Sequence, residues 1–439
     1  MSAEDLTSVE REVSPAEPRT RLSLGRLVST VAVGNLLEWY DFGVYGYFAL
    51  VIARQFFAGG QSTALLLTFA SFGVGFLARP LGAIVFGHVG DRGGRRKALT
   101  YSVLGMGVAT FLIGCAPTYH QIGLAAPVLL TVLRLLQGFA SGGEWAGSAT
   151  YMLESSPPGR RGFATSWQLS SVALSLTLSA SVAALINAVM PASAVESWGW
   201  RLPFLAGALI VIPAWILRRS APETSAFETL KANEQVATAP LREAFRTARR
   251  PMLKAVGLVA LMGVAYYILL TYLATWLVTW AGFSPALANL TMAIESAALA
   301  VATPIFGALS DRIGRKPPML TACALFAVVS YPVFLLLQNS PAWGVMLLLL
   351  VCVVLLGMAV GPATAALAEL FPAQVRYTAL SIPYHSTTAI FGGFAPFIAA
   401  FLVTWTHDGS APAWYLVAAA VFGFVAVLTF KETARQPLA

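Results

Sequence analysis

Two carboxylates lie inside an apolar stretch near the N-terminus, and their spacing suits proton chemistry. In GNLLEWYDFGVYGYF (residues 34–48), Glu38 and Asp41 are three residues apart, so a helix presents both on one face. An ionisable side chain deep in a membrane is costly, and it usually faces a cavity, a partner or a proton path. We therefore predict proton coupling by Glu38 and Asp41, with Glu144 of a later apolar stretch as a third candidate. The alternative is a static ion pair with an arginine elsewhere.

Two arginines inside apolar stretches could bind a carboxylate of a substrate. Arg79 in GFLARPLG precedes Pro80, whose missing N–H can open a helix locally, and Arg134 lies in a later apolar stretch. A guanidinium holds a carboxylate through two parallel hydrogen bonds. Each arginine could equally neutralise one of the buried carboxylates. That structural role is somewhat favoured for Arg79, because it follows Glu38 and Asp41 so directly in the chain.

Further side chains that could line a substrate cavity lie on other apolar stretches. Tyr45 stands beside the paired carboxylates, and Tyr267 and Tyr272 belong to an aromatic and hydroxyl-rich cluster in AYYILLTYLATWL. His385 in SIPYHSTTAIFGG could titrate near neutral pH, or could be a neutral histidine hydrogen-bonded within a helix bundle. The depth of Glu295 is ambiguous from sequence. We predict substrate contacts for the three tyrosines and His385, with packing as the alternative.

The composition shows what must position these groups. Hydrophobic residues make up 57% of the 439 residues and charged residues only 11%, whereas a soluble domain carries about 25% charged residues. The chain is therefore predicted to cross a membrane several times. The net charge of +8 does not indicate nucleic acid, because the basic residues fall in short loops between apolar runs. That pattern marks loops on the cytoplasmic side.

Twelve apolar stretches are long enough to span a bilayer, and basic loops follow the even-numbered ones, which predicts cytoplasmic termini. Gly138 and Gly142 have the spacing of a close helix contact. The spans are predicted near 26–53, 63–90, 97–116, 122–152, 163–190, 202–219, 252–281, 285–309, 318–338, 342–369, 376–405 and 412–430. The predicted organisation is a cytoplasmic tail (1–25), a six-helix bundle (26–219), a cytoplasmic linker (220–251), a second six-helix bundle (252–430) and a cytoplasmic tail (431–439).

Charged loop motifs recur in the two halves. GHVGDRGGRRK (87–97) aligns with GALSDRIGRK (307–316) at an offset of 220 residues, and a second match after the fourth span of each half has an offset of 215. Parallel repeats of six helices place a pathway between the halves. We predict that these charges form a latch that must break during transport; the alternative is simple anchoring of cytoplasmic loops. The predicted gate residues are Asp91, Arg92, Arg95, Glu154, Arg161, Asp311, Arg312, Arg315, Glu369 and Arg376.

Together these motifs resemble a known family. The D-R-x-G-R-[RK] loops repeated over twelve spans resemble the major facilitator superfamily. GNLLEWYDFGVYG, RPLGAIVFGHVGDRGGRRK, RLLQGFASGGEWAGSATYMLESSPPGRRG and WGWRLPF are similar to its metabolite:proton symporter family. That family carries proline and betaine, 2-oxoglutarate, citrate and shikimate. The resemblance implies an all-α fold of two six-helix pseudo-repeats, a proton-coupling and substrate region at Glu38 and Asp41, and a gate at the charged loops.

The sequence therefore predicts a monomeric, multi-pass carrier in the inner membrane. It would import a small carboxylate-bearing metabolite with protons by alternating access. A proton antiporter that exports its substrate and a ligand sensor that moves nothing are the alternatives. No cofactor, metal site, nucleic-acid partner or enzymatic activity is predicted, because the chain carries no phosphate-binding glycine loop, metal-ligand cluster or nucleophile motif.

Overall fold

The structure is a computed structural model, and its described part is helical throughout. It describes residues 24–93, 95–142, 144–157, 159–220, 245–372, 375–436 and 438. The predicted N-terminal tail up to residue 23 and most of the predicted linker (221–244) lie outside the described residues. Within the described ranges no β-strand occurs.

The first half contributes six helices, three of them interrupted within the span. Ala78, for example, separates the two segments of the second helix. The helices are α1 (Leu24–Tyr47 and Ala49–Phe56), α2 (Gln61–Leu77 and Arg79–Gly93), α3 (Arg95–Cys115), α4 (Ala125–Ser141 and Glu144–Ser155), α5 (Arg161–Val189) and α6 (Arg201–Ser220).

The second half contributes six more helices, and two of them contain a π-helical turn. Such wide turns are common at functional sites. The helices are α7 (Arg249–Tyr267, the π turn Ile268–Tyr272, and Leu273–Thr279), α8 (Pro285–Ile313), α9 (Lys316–Asn339), α10 (Ala342–Glu369), α11 (Arg376–Thr387, the π turn Thr388–Gly393, and Ala395–Thr406) and α12 (Pro412–Leu428).

These helices confirm the predicted spans, each of which begins within one helical turn of an observed helix start. Among the described residues, eight helices are long and apolar enough to cross a membrane, namely α2, α4, α5 and α7 to α11, and α3 and α12 contain shorter apolar helices. The loops after the even-numbered helices carry the charged motifs. We call that end of the bundle the predicted cytoplasmic end, and the opposite one the predicted outer end.

The two halves meet most extensively where α5 packs against α8, and also through α1 with α7 and α2 with α11. Within the first half, α2 and α4 cross with their backbones almost in contact. A Cβ atom added to Gly138 would lie 1.6 Å from the Gly75 carbonyl oxygen, and one added to Gly142 would lie 2.1 Å from the Arg79 carbonyl oxygen. The predicted close contact at Gly138 and Gly142 is confirmed, and it fixes α4 against the helix that carries Arg79.

Candidate functional site

A buried ion pair joins α1 and α2 at the centre of the first half. Arg79 Nη2 lies 3.1 Å from Glu38 Oε1, and the two side chains are only 1% and 2% exposed. The Arg79 guanidinium carbon also lies 4.4 Å, 4.8 Å and 5.2 Å from the ring centres of Phe76, Phe42 and Trp39. Cation–π attraction of this kind strengthens when water is excluded. Arg79 is thus held by one carboxylate and three aromatic rings.

The local sequence explains why Arg79 points into this site. The first segment of α2 ends at Leu77 and the second begins at Arg79, with Pro80 as its second residue. Proline has no N–H to continue the hydrogen-bond ladder, so the predicted opening of the helix at Pro80 is confirmed. The two predicted alternatives for Arg79 were binding a substrate carboxylate and neutralising a buried one, and the structure shows it paired with Glu38 of α1.

A second polar network connects Asp41 to Arg134 through two intermediates. Arg134 Nη1 donates to Gln137 Oε1 at 2.7 Å, Gln137 Nε2 donates to Thr110 Oγ1 at 2.7 Å, and the Thr110 hydroxyl donates to Asp41 Oδ2. The Arg134 guanidinium carbon lies 3.5 Å from the ring centre of Tyr45. All five side chains are buried. This network balances the charge of Asp41 without a direct ion pair.

Sequence reasoning missed Thr110 and Gln137. Gln137 stands three residues after Arg134, the spacing at which two side chains share a helix face, and that was the available signal. No pattern within α3 singles out Thr110, because its partner Asp41 belongs to a different helix.

The second half faces the Glu38–Arg79 pair with polar side chains. Tyr266, Tyr267, Tyr384 and Trp39 border a cavity of about 30 Å³ between the halves. The hydroxyls of Tyr266 and Tyr267 and both ring nitrogens of His385 are buried with no hydrogen-bond partner among the described residues. Buried polar atoms are almost always paired, so these unpaired groups are candidates for contact with a polar ligand.

The remaining predicted substrate tyrosines lie elsewhere. The Tyr45 hydroxyl contacts the Thr68 carbonyl and the Ser71 hydroxyl of α2, which places Tyr45 in the Arg134 network. The Tyr272 ring packs on Phe69, with ring centres 5.9 Å apart. Both contacts lie outside the small central cavity. Glu144 begins the second segment of α4, but its side chain lies outside the described residues.

At the predicted cytoplasmic end, an aspartate of the second half binds the start of a helix of the first. The amides of Gly162 and Phe163 donate to Asp311 Oδ1 and Oδ2 at 2.8 Å and 2.9 Å. A carboxylate at this position satisfies unpaired helix amides and suits the helix dipole. Arg315 holds Asp311 at 2.8 Å and Glu369 at 3.2 Å. This arrangement joins α5, α8 and α10 across the boundary between the halves.

A second contact crosses the same boundary. Arg376 Nη1 lies 2.8 Å from Glu154 Oε1, while its Nε donates to the carbonyls of Ala368 and Phe371. Arg161, which precedes the Asp311 contact, donates to the Gln436 carbonyl at 2.9 Å.

The other predicted gate residues take no part in these described contacts. The Arg312 side chain borders an apolar groove between α5 and α8. The side chains of Asp91, Arg92 and Arg95 lie outside the described residues, so their roles stay predictions.

Comparison with known proteins decides the family. The profile of the Major Facilitator Superfamily matches residues 31–382 and 281–438. The citrate-proton symporter of Klebsiella pneumoniae is 38% identical over 404 residues, which cover 90% of this chain and 89% of that protein. This chain belongs to the major facilitator superfamily.

Two further relatives narrow its place in the superfamily to the metabolite:proton symporters. The alpha-ketoglutarate permease of Escherichia coli (strain K12) is 36% identical over 438 residues, which cover 99% of both chains. The proline/betaine transporter of the same strain is 34% identical over 428 residues, which cover 94% of this chain and 85% of that one. The family predicted from the loop motifs and from GNLLEWYDF is confirmed.

Solved structures agree on the fold of this superfamily member. The xylose transporter XylE from E. coli, in a partially occluded inward-open conformation, aligns with a TM-score of 0.76 at 18% identity over 94% of this chain and 99% of that one. The crystal structure of a D-xylose-proton symporter aligns with a TM-score of 0.75. At this identity the likeness concerns the fold alone. The predicted class, all-α with twelve spans in two six-helix repeats, is confirmed.

Proposed function

We propose that this protein is a proton-coupled symporter that imports a small carboxylate-bearing metabolite. The observation that carries the proposal is Arg79, a buried guanidinium of the first half that faces the second half and whose carboxylate partner, Glu38, can itself take up a proton. An arginine surrounded by aromatic rings suits a carboxylate ligand. The relatives named for citrate, alpha-ketoglutarate, and proline or betaine act on molecules that share a carboxylate.

The geometry supports a simple exchange at Arg79. With Glu38 ionised, the two side chains form the observed pair at 3.1 Å. Protonation of Glu38 removes its charge, and a substrate carboxylate then takes its place on the guanidinium. Proton and substrate therefore bind together, which is the requirement for symport. Asp41, with its link to Arg134, and Glu144 are further candidates for the proton path.

The substrate class can be stated from the groups around Arg79. Trp39, Tyr266 and Tyr267 offer ring faces and hydroxyls beside the guanidinium. Ring faces attract a quaternary ammonium, whereas the hydroxyls and His385 suit the further oxygens of a dicarboxylate or tricarboxylate. The proposal covers both kinds of molecule, since each carries at least one carboxylate.

Alternating access fits the contacts at both ends. A cavity of about 30 Å³ has room for roughly one water molecule, so a metabolite enters only when the halves move apart. The Asp311 and Arg376 contacts close the predicted cytoplasmic end. Between the predicted outer end and the Glu38–Arg79 pair, the Tyr47 hydroxyl donates to the Leu270 carbonyl at 2.9 Å. We infer that the two sets of contacts break in turn.

The remaining assignments belong to the same proposal. The protein works as a monomer in the bacterial inner membrane, with both termini in the cytoplasm. Its halves extend over residues 26–219 and 252–430 and are joined by the linker 220–251. It performs no enzymatic reaction and binds no nucleic acid. The charged loops, with Asp91, Arg92 and Arg95 in the first half, form the cytoplasmic gate.

The test is transport by the purified protein in liposomes. An inwardly directed proton gradient should drive accumulation of at least one labelled compound among citrate, 2-oxoglutarate, proline and glycine betaine, and a protonophore should abolish it. Efflux of preloaded compound driven by the same inwardly directed gradient would instead identify an antiporter that exports it. Absence of gradient-dependent flux for the whole panel would refute the proposal.

A further inference from the structure

One buried carboxyl group lies outside every network described above. Glu295 of α8 is 1% exposed, and neither Oε1 nor Oε2 has a hydrogen-bond partner among the described residues. Glu38 has Arg79, and Asp41 is linked to Arg134, but no described arginine, lysine or histidine exerts a charge interaction on Glu295. Burying an ionised carboxylate without a counter-charge is very costly. The closed conformation therefore accommodates Glu295 as the neutral acid.

The neighbours of Glu295 place it beside a contact between the halves. Titratable groups near its carboxyl include Tyr47 of α1 and Cys352 of α10. α5 is the helix most extensively packed on α8. Its polar contact near Glu295 is neutral, because there the hydroxyls of Thr177 and Ser296 hydrogen-bond at 3.1 Å. Tyr47 is the residue whose hydroxyl donates to the Leu270 carbonyl in the π turn of α7.

Glu295 and Tyr47 also lie at the same depth. Glu295 is about 15 Å from the outer start of α8 and Tyr47 about 14 Å from the outer end of α1, whereas Glu38 is about 27 Å from that end, at 1.5 Å per residue. Tyr47 in turn interacts electrostatically with Tyr266 of the central cavity. Among the described buried carboxyl groups, Glu295 thus lies nearer the outer end than the Glu38–Arg79 pair.

We propose that Glu295 is a second proton-binding site, and that it must take up a proton from the outer side before the Tyr47–Leu270 contact can close. This inference rests on the proposed symport. With the outer end open, water reaches the carboxyl and stabilises its ionised form. Closure removes that water and supplies no cation, so only the protonated form closes at low cost. The proton thereby controls the outer gate, separately from substrate binding at Arg79.

The experiment measures the outer gate directly and needs no substrate. Nitroxide labels on Ala58→Cys and Thr406→Cys, both exposed at the outer end of different halves, report the opening as a distance in liposomes. Cys115→Ser removes the exposed native cysteine. In this otherwise unaltered protein, raising the pH should increase the open-to-closed ratio, by at most about tenfold per pH unit for one proton. In Glu295→Gln, which is neutral at every pH, the distance should remain short throughout.

A matched control and a conservative variant sharpen the result. Glu196 is a carboxylate of the same end but is 46% exposed and paired with Arg54, so Glu196→Gln should keep the pH-dependent opening. Glu295→Asp, which retains the carboxyl, should keep it too. If Glu295→Gln does not fold, Glu295→Met serves in its place because its side chain requires no hydrogen bond. The inference would be overturned if the distance between the labels in the wild type did not change with pH. It would also be overturned if Glu295→Gln opened with pH as the wild type does.

Flux distinguishes this inference from the proposed function. If the wild type shows no proton-dependent uptake, the proposed symport fails. If the wild type shows it and Glu295→Gln has the same dependence of uptake rate on external pH, the role of Glu295 fails alone. The expected result is a Glu295→Gln variant that takes up substrate more slowly than the wild type, because its outer gate stays closed, and whose uptake rate depends less on external pH.

Discussion

The two halves share a loop motif and a helix plan, yet their buried charges differ. In the first half, every described buried carboxylate at the centre is balanced, Glu38 by Arg79 and Asp41 through a network that ends at Arg134. In the second half, Glu295 is buried with no cation beside it. At the offset of 220 residues that aligns the loops, Arg79 corresponds to Leu299 and Glu295 to Gly75.

The repeat retains some kinds of residue in both halves and not others. Charged loop residues that cap and join helices recur, such as Asp311, which matches Asp91, and Glu369, which matches Glu154. Residues that carry charge inside the membrane do not recur, because one ligand site between two halves requires unlike faces. The first half supplies the paired arginine, and the second supplies neutral polar groups and an acid whose charge nothing balances.

The largest effect should come from breaking the balanced pair of the first half. Arg79→Met removes a guanidinium whose charge-assisted hydrogen bonds are worth about 3 kcal/mol or more together, so proton-driven uptake should fall more than about 100-fold. It also leaves Glu38 buried without its cation, at a cost of about 3–5 kcal/mol, which thermal unfolding of the purified protein should detect.

A double variant separates binding from stability. Glu38→Gln with Arg79→Met leaves no unbalanced charge, so unfolding temperature should recover while uptake stays lost. Recovery of uptake together with stability would show that the pair is only structural. If Arg79→Met kept both the uptake and the unfolding temperature of the wild type, the account of Glu38 and Arg79 as a balanced pair that binds substrate would be contradicted.

The next largest effect is expected at Asp311 of the second half, which binds the start of α5 in the first half. Asp311→Asn keeps the shape of the side chain but removes the charge that binds the amides of Gly162 and Phe163 and the guanidinium of Arg315. Loss of one charged hydrogen bond costs about 1.5–3 kcal/mol, so uptake should fall about tenfold. Labelling of cysteines introduced at the predicted cytoplasmic end should become faster.

Asp408→Asn is the control for that substitution. Asp408 lies in the loop between α11 and α12, where it binds the backbone and hydroxyl of Ser410. It has no described contact with the first half, so its removal should change neither uptake nor labelling. Equal effects of the two variants would show that Asp311 acts through general stability rather than as a latch.

A smaller effect is expected at the other cross-half contact, where the two partners are unequally buried. Glu154 is 42% exposed and Arg376 only 1%, and exposed ion pairs contribute about 0–1 kcal/mol. Glu154→Gln should therefore lower uptake less than about fivefold. Arg376→Gln should lower it more, because it also leaves the carbonyls of Ala368 and Phe371 without their donor. Measurement of initial uptake rates compares them, and the reverse order would refute this account.

Sequence predicted those features that depend on local chemistry. Helix lengths follow from apolar runs, the interruption of α2 follows from Pro80, and the α2–α4 contact follows from Gly138 and Gly142. In each case a few neighbouring residues carry the whole physical reason.

Apart from the favoured pairing of Arg79 with a carboxylate of α1, sequence did not predict partners that lie on different helices. Whether Asp41 reaches Thr110, or Arg376 reaches Glu154, depends on the rotation of each helix about its axis, which the whole bundle sets. The depth of Glu295 was ambiguous for the same reason. Its position along α8 follows from the sequence, but whether a cation lies beside it depends on how four helices pack together.

The smallest effect on uptake is expected for a helix cap that lies within one half, in contrast to a cap that joins the two halves. Glu432, after α12, accepts from the amides of Arg315 and Lys316 at the start of α9 at 2.8 Å and 3.1 Å. Because all three residues move with the second half, Glu432→Gln should cost about 1 kcal/mol of stability, as loss of a helix cap does, and leave uptake near the wild-type level. Asp311→Asn, whose cap crosses the boundary, should by contrast lower uptake.

The pH dependence of that stability difference has a definite sign. Burial alone would raise the pKa of Glu432, but four backbone N–H donors outweigh it and hold the pKa below its ordinary value. The stabilisation is therefore present above the unfolded pKa of about 4.3 and is lost as pH falls through the lower folded value. Unfolding temperatures of the wild type and Glu432→Gln should differ at pH 7 and converge below about pH 4. A difference that persists in acid would show that the Glu432 carboxylate does not cap α9 through its charge.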